Sequence, residues 1–430
     1  MAQVSIERKE NRFVQELLSP SDKLLLSSTR DFVDEQIMPV RRELDESTRS
    51  DYGLVEETLK KMLPLGLQGG FLPEEYGGMG LSSALTTALL AEEMGRGDAA
   101  LFTSLMGGIL AMRPAIKTDN REVLEHFAPR FVQEDELCLG CFAATEPQGG
   151  SDIENADLMG SGITCAAALR DGQWVMDGTK VWSVNAGLAG AYCVVASTDQ
   201  SLGDEGIALV YVEVPTQGFT FLGFEDKEGL RGSRQGGFEL KGVRVPEGWR
   251  AAGPGWDAEL LWDNQAFARI VSAGLAIGMA QGTLDEVLAF TTDRIAAGKP
   301  IRQHTVCATM LADIAMGIQA GRDNYVNAAY LYDRPEVYGD GASVHMLSRA
   351  SAAKVFCCDA AINVTNRAME LMGSYGYVTD YYVEKYWRDA KTLQLWEGGA
   401  QLSRLDVVRG YYDFDQFHRN ELYERIREIS

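Results

Sequence analysis

Two changes of periodicity divide this chain and constrain its fold more than any other feature. Up to about Glu136, apolar residues recur at helical spacing, and 22–33, 55–63, 81–94 and 120–131 each read as helices. Ser19 or Ser21 is placed to cap the first. The breaker cluster Pro73-Glu-Glu-Tyr-Gly-Gly separates two of them. Past Glu136, glycine becomes frequent and β-rich runs appear at 191–197 and 207–214. Asp177-Gly178 reads as a turn between Trp174-Val-Met and Val181-Trp182. Residues 238–245 alternate apolar and polar and stop at Pro246. The Gly-rich stretch 251–256 reads as a linker, and helical periodicity then returns. The runs 266–290, 306–332 and 343–371 are long enough for a bundle. The order helices, strands, helices predicts three domains: helical 1–136, β 137–250 and a helical bundle 251–430.

Charge and motif content exclude several functions. Lys and Arg number 40 against 62 Asp and Glu, a formal charge of −22. Such a field repels polyanions, and there is no basic block or zinc-finger spacing, so nucleic-acid binding is not expected. The start, MAQVSIERKENRF, is polar and does not read as a signal peptide. The long apolar stretches carry glycine and polar residues, so no membrane span is expected. Seven scattered cysteines suit reduced thiols, and a cytoplasmic protein is expected. The pair Cys138 and Cys141 reads as small buried hydrophobes, and the four histidines form no metal constellation. No G-x-G-x-x-G lies between a strand and a helix and no P-loop pattern is present, so a Rossmann or P-loop nucleotide site is not expected and a cofactor, if present, must be held in another way.

Thr145-Glu-Pro-Gln-Gly-Gly-Ser-Asp152 resembles the flavin-contacting signature of the acyl-CoA dehydrogenase family. Five further segments resemble that family in its order: 71–80 (FLPEEYGGMG), 177–185 (DGTKVWSVN), 229–246, Arg294 with Gly298-Lys299-Pro300, and 373–391 followed by Leu395-Trp-Glu-Gly-Gly399. The resemblance implies an α+β multidomain fold: a helical N-terminal domain, a middle β-barrel or sandwich domain and a C-terminal four-helix bundle. It also implies bound FAD, an acyl-CoA substrate and electron transfer to an electron-transferring flavoprotein. A homo-oligomer is implied too, a tetramer or a dimer. The alternative on the same framework is an acyl-CoA oxidase using dioxygen.

Residue by residue, the resemblance places the catalytic base on Glu397. An α-proton beside a thioester is a weak acid, so its base should be partly desolvated, and Trp396 is at hand as a low-dielectric wall. Some relatives carry the base just before the first bundle arginine. Here that arginine is Arg269 and its predecessor is Ala268, which cannot act as a base. Phe142, Ala144, Thr145, Gly150, Ser151, Trp182, Ser183 and Val184 match positions around FAD. Arg294, Glu370, Gly373, Gly399 and Gln401 match more distal contacts, with Arg294 reaching a partner's FAD. Ser151, Arg269 and Gly398 match substrate positions, and Met106 matches the depth of the acyl pocket. Val184, Ala297, Glu370, Ser374 and Gly399 depart from the family's usual residues.

Overall fold

The computed structural model describes residues 12–48 and 51–412, so the first eleven residues of the polar start lie outside it. The N-terminal helices are α1 (Arg12–Leu17), α2 (Pro20–Phe32), α3 (Arg41–Ser47), α4 (Gly53–Lys60), α5 (Ala84–Lys117) and α6 (Arg121–Phe131). Ser19 opens α2 with a reciprocal cap: its hydroxyl accepts the Asp22 N–H, and the Asp22 carboxylate accepts the Ser19 N–H. The helix expected over 81–94 runs on to Lys117. It breaks its own geometry at Asp98, with φ −152° and ψ 113°. There the carboxylate accepts the Ala100 N–H and binds Lys385 and Tyr382, so tertiary contacts stabilise the break.

The middle domain is one curled sheet of β1 (Gly140–Ala143), β2 (Ala166–Arg170), β3 (Gln173–Val184), β4 (Ala191–Ser197), β5 (Ile207–Glu213), β6 (Phe219–Phe224) and β7 (Gln235–Pro246). Strands β2, β3, β7 and β6 are antiparallel neighbours. Strand β4 pairs with β5 antiparallel and β1 parallel, and Ala166 beside Ser197 joins the halves. The turn expected at Asp177-Gly178 is not there, because β3 passes straight through it. The hairpin turns instead at Asp171-Gly172, whose φ values of +52° and +71° are what a two-residue hairpin requires. Asp177-Gly178 marks a bulge against β7. A Cβ on Gly178 would lie 2.7 Å from Cys165 Cα, so the glycine allows that close approach.

The C-terminal part holds α7 (Trp256–Asp293), the two-residue strands β8 (Ile295–Ala296) and β9 (Lys299–Pro300), α8 (Thr305–Tyr332), α9 (Pro335–Tyr338), α10 (Val344–Met372), α11 (Val383–Leu395) and α12 (Gly399–Arg409). Helices α5 and α7 cross closely. A Cβ on Gly274 or Gly278 would fall 2.3 Å from the Ala88 carbonyl oxygen or 2.1 Å from that of Glu92. By length and composition both helices could cross a membrane, which the sequence reading did not foresee. In each, 89% of the apolar window is buried inside the protein, so packing on all sides accounts for the composition. A second core lies within the sheet, where the Tyr192, Phe219 and Phe238 rings meet. The face where α5, α7, the sheet and the segment before α12 converge encloses a cavity.

Candidate active site

The Thr145–Asp152 loop is pinned from beneath by one buried ion pair. Lys180 Nζ donates to Glu146 Oε1 and to the Ala144 carbonyl, both at 2.7 Å. Glu146 also accepts the backbone N–H groups of Thr164 and Cys165. Burial pushes its carboxyl up, but Lys180 and these donors hold it below the ordinary range. The Thr145 carbonyl accepts the Val181 N–H, which ties the loop to β3. Beside it β3 slips register against β7 between Lys180 and Ser183. This irregularity puts Trp182 at φ +58° with 53% of its surface exposed. A left-handed tryptophan costs on the order of 1–3 kcal/mol, so the surrounding sheet must enforce it.

The cavity is about 160 Å³. One wall is formed by Phe142, Ala144, Thr145, Trp182, Ser183 and Val184. The lining also includes Met106 and Leu110 of α5, Ala268 of α7, and Trp396 and Glu397. A larger groove, about 1020 Å³, lies elsewhere, lined by residues of α8, α10 and α12, and includes Glu370.

Glu397, Gly398 and Gly399 are three successive left-handed residues, with φ +53°, +80° and +68°. Glycine suits two of them, while Glu397 carries strain. A set of buried donors holds the segment. Lys354 Nζ donates to the Trp396 carbonyl at 2.7 Å, and Arg269 Nη2 to the Glu397 carbonyl at 3.4 Å. Ser272 Oγ donates to Glu397 Oε1 at 2.9 Å, while Oε2 has no partner among the described residues. Burial raises the Glu397 carboxyl above its ordinary value, and Lys354, Ser272 and Arg269 oppose that rise. A carboxylate with one oxygen fixed and one free, and with raised basicity, is suited to taking a proton from carbon.

Arg269 sits behind this segment. It is fully buried, and Nη1 donates to Ser351 Oγ at 2.7 Å and to Asp406 Oδ2 at 2.6 Å. Its fork is thus directed to the backbone and to Asp406 rather than to the cavity. Gly398 lies against it, since an added Cβ would come 3.2 Å from Arg269 Nη2.

Sequence reading missed Glu154, Ser272, Lys354 and two amides of α7, Asn264 and Gln265. Glu154 lines the cavity and bonds Gln265. Burial pushes its carboxyl up to about 7, with Arg269 opposing and Glu397 adding to the rise. Its place two residues past the Thr145–Asp152 motif was a usable signal. Ser272 and Lys354 carry no local signal, because only the fold brings them to Glu397.

The remaining expected residues lie outside the cavity lining. Ser151 is exposed, and Gly150 has open space where a Cβ would go, its nearest neighbour being Thr145 Cγ2 at 3.9 Å. Arg294 lies over the Tyr375 ring, 5.2 Å from its centroid. Glu370 pairs with Arg367 at 3.0 Å. Gly373, at φ +61°, faces open space, and Gln401 is exposed on α12. The inner wall fits the ring system of a flavin: an uncovered indole, Phe142, small residues and the Ser183 hydroxyl line one side.

Architecture and cavity together are those expected of a flavin-dependent dehydrogenase. Three domain families match in order: acyl-CoA dehydrogenase N-terminal domain over residues 19–135, middle domain over 141–243 and C-terminal domain over 260–412. The short-chain specific acyl-CoA dehydrogenase of Homo sapiens mitochondria is 32% identical over 92% of this chain and 90% of its own. The cyclohex-1-ene-1-carbonyl-CoA dehydrogenase of Geobacter metallireducens is 33% identical over 91% of this chain and 98% of its own. The butyryl-CoA dehydrogenase structure from Megasphaera elsdenii superposes with a TM-score of 0.82 at 28% identity, covering 92% of this chain and 98% of its own.

The chain belongs to the acyl-CoA dehydrogenase family. It is an oxidoreductase that uses FAD to desaturate an acyl-CoA thioester at the α,β position, with an electron-transferring flavoprotein as acceptor. The cytoplasmic expectation is corrected by the relatives, since the human, bovine, porcine and rat enzymes are all mitochondrial by name. Reduced thiols and a polar start do not distinguish among reducing compartments, so the sequence did not justify that choice.

Proposed function

We propose that Glu397 is the base of this reaction and removes the α-proton through Oε2. The observation that carries the reading is the unpartnered Oε2 in a cavity that also contains the Phe142–Thr145 and Trp182–Val184 wall. Ser272 fixes Oε1 and thereby aims the free oxygen. Arg269 and Lys354 hold the strained segment through its carbonyls and keep the carboxylate available in its ionised form. The Glu397 N–H is the chain's donor toward a thioester oxygen, where charge develops as the proton leaves. The Phe142–Ser151 and Trp182–Val184 segments would hold FAD, which would supply the acceptor for the β-hydride. Ala268 faces the same cavity and offers no competing base. Met106 and Leu110 bound an apolar part of a small space, which favours a short acyl group.

The experiment is Glu397→Gln with rapid mixing. The variant should keep FAD and show a flavin-band perturbation on binding a short acyl-CoA, yet barely bleach. Bleaching near the unmodified rate would remove Glu397 from the role.

We further propose a homo-oligomer in which Arg294 and the Gly373 region reach the FAD of a second copy. Supporting this, both lie away from their own cavity, and α8 and α10 expose Val306, Met316 and Phe356. An active FAD-bound monomer in light scattering would overturn it.

A further inference from the structure

Three side chains that line the cavity with the base carry oxygens whose acceptor capacity is not used up. Asn264 and Gln265 both line the cavity and are only 3% and 8% exposed. Asn264 Nδ2 donates to the Leu110 carbonyl at 3.0 Å, and its Oδ1 has no partner among the described residues. Gln265 Nε2 donates to the carbonyl and to Oε2 of Glu154, both at 3.2 Å, and its Oε1 has no partner among the described residues. In each amide the nitrogen already donates to an acceptor, and the atom left with no partner at all among the described residues is the oxygen. Glu154 adds further lone pairs beside them. Its Oε2 lies 3.1 Å from where a Cβ on Gly398 would sit, so it stands next to the base's own segment. With a carboxyl raised to about 7 by burial, Glu154 keeps an acceptor oxygen whether or not it holds a proton.

The nearby cations do not answer these acceptors. Arg269 is paired with Asp406, and Lys354 donates to the Trp396 carbonyl. A plain hydrocarbon in this space would leave buried oxygens without donors, which is unfavourable.

We propose that Glu154, Asn264 and Gln265 form an acceptor wall that binds an N–H or O–H donor carried by the thioester substrate close to its reacting carbons. Glu154 is then a specificity residue and not a second base. The proposal rests on the Glu397 cavity being the thioester site. Two parts of such a substrate can supply the donor: a hydroxyl or amino substituent on the acyl chain, or an amide N–H in the thiol arm.

Calorimetric binding to the FAD-loaded protein tests it with three probes. The first is the butanoyl thioester of N-acetylcysteamine, whose arm carries an N–H. The second replaces that amide with an ester and has no donor. The third is the γ-hydroxybutanoyl thioester of the ester arm. At least one donor probe should bind about tenfold more tightly than the donor-free probe. Preference for the first assigns the donor to the arm, and for the third to the acyl chain. Glu154→Ala should largely abolish the preference, while Glu154→Gln, which keeps an acceptor oxygen, should retain it. FAD content checks that each variant is folded. Equal affinity for all three probes would overturn the proposal, as would equal weakening of all three in Glu154→Ala. Because binding is read, retained bleaching in Glu397→Gln with the preference intact counts against the Glu397 assignment alone.

Discussion

The residues expected around FAD fall into two groups that the fold treats differently. Phe142, Thr145, Trp182, Val184 and Glu397 come from distant parts of the chain and close on one cavity. Arg294, Glu370, Gly373 and Gln401 stay outside it, turned to neighbours on their own surface or to open space. The inner group is a property of one folded protomer. The outer group belongs, in the proposed oligomer, to the FAD site of a second copy. Chemistry and cofactor retention should therefore separate under mutation.

The largest effect belongs to the inner group. Glu397→Gln should slow flavin bleaching by ~10³–10⁴-fold, the upper range for a positioned general base, with FAD content unchanged. Concurrent loss of FAD would blur the division between the groups. Next comes Arg269→Met, which removes the main support of the Glu397 carbonyl and one partner of Asp406. Arg409 still pairs with Asp406, so the loss should be near the low end for a broken buried pair, about 3 kcal/mol. Urea midpoints measure it. If stability is unchanged, Arg269 is not what holds the strained segment.

A smaller effect is expected from the outer group. Arg294→Ala should lose FAD about tenfold more readily on dilution, as removal of one charge-assisted contact implies. Bleaching per bound FAD should stay the same. If it falls instead, Arg294 serves the inner site and the division fails.

The same contrast explains what the sequence could reveal. Periodicity located α6 and the long bundle helices, and continuous β-rich apolar runs located β4 and β5, which are buried on both faces. It misplaced the hairpin because both Asp171-Gly172 and Asp177-Gly178 satisfy the local chemistry of a turn, and only pairing with β7 and contact with Cys165 distinguish them. The extent of α5 past Asp98 was hidden for a similar reason, since Lys385 and Tyr382 stabilise that break from 287 and 284 residues away. In the site, Glu397 and the Thr145 loop were legible as contiguous motifs. Ser272 and Lys354 act on Glu397 from other helices, and no spacing rule records such meetings.

The smallest effect is a shift in pH dependence, and it probes the inner group most finely. Four polar groups bear on Glu397: Ser272 and Arg269 from α7, Lys354 from α10 and Glu154 from the motif loop. Burial raises the Glu397 carboxyl, and the base must be ionised to act, so bleaching should rise with pH through a value above the ordinary carboxylate range. Lys354 opposes that rise, so Lys354→Met should move the profile further up, by less than about one unit. Lys354→Gln keeps a donor for the Trp396 carbonyl but removes the charge. If charge is the cause, both variants shift alike. A shift in Lys354→Met alone would make Lys354 a support of the backbone and nothing more. Stability runs in the opposite sense to activity. A carboxyl raised by folding contributes fully below its unfolded value, and that contribution is lost as pH rises through the folded value. Glu154, raised to about 7, should lose its share near neutrality. Glu154→Gln cannot ionise, so it should gain on the unmodified protein as pH climbs from about 5 to about 8. Parallel denaturation curves across that range would show that Glu154 does not titrate where its burial implies.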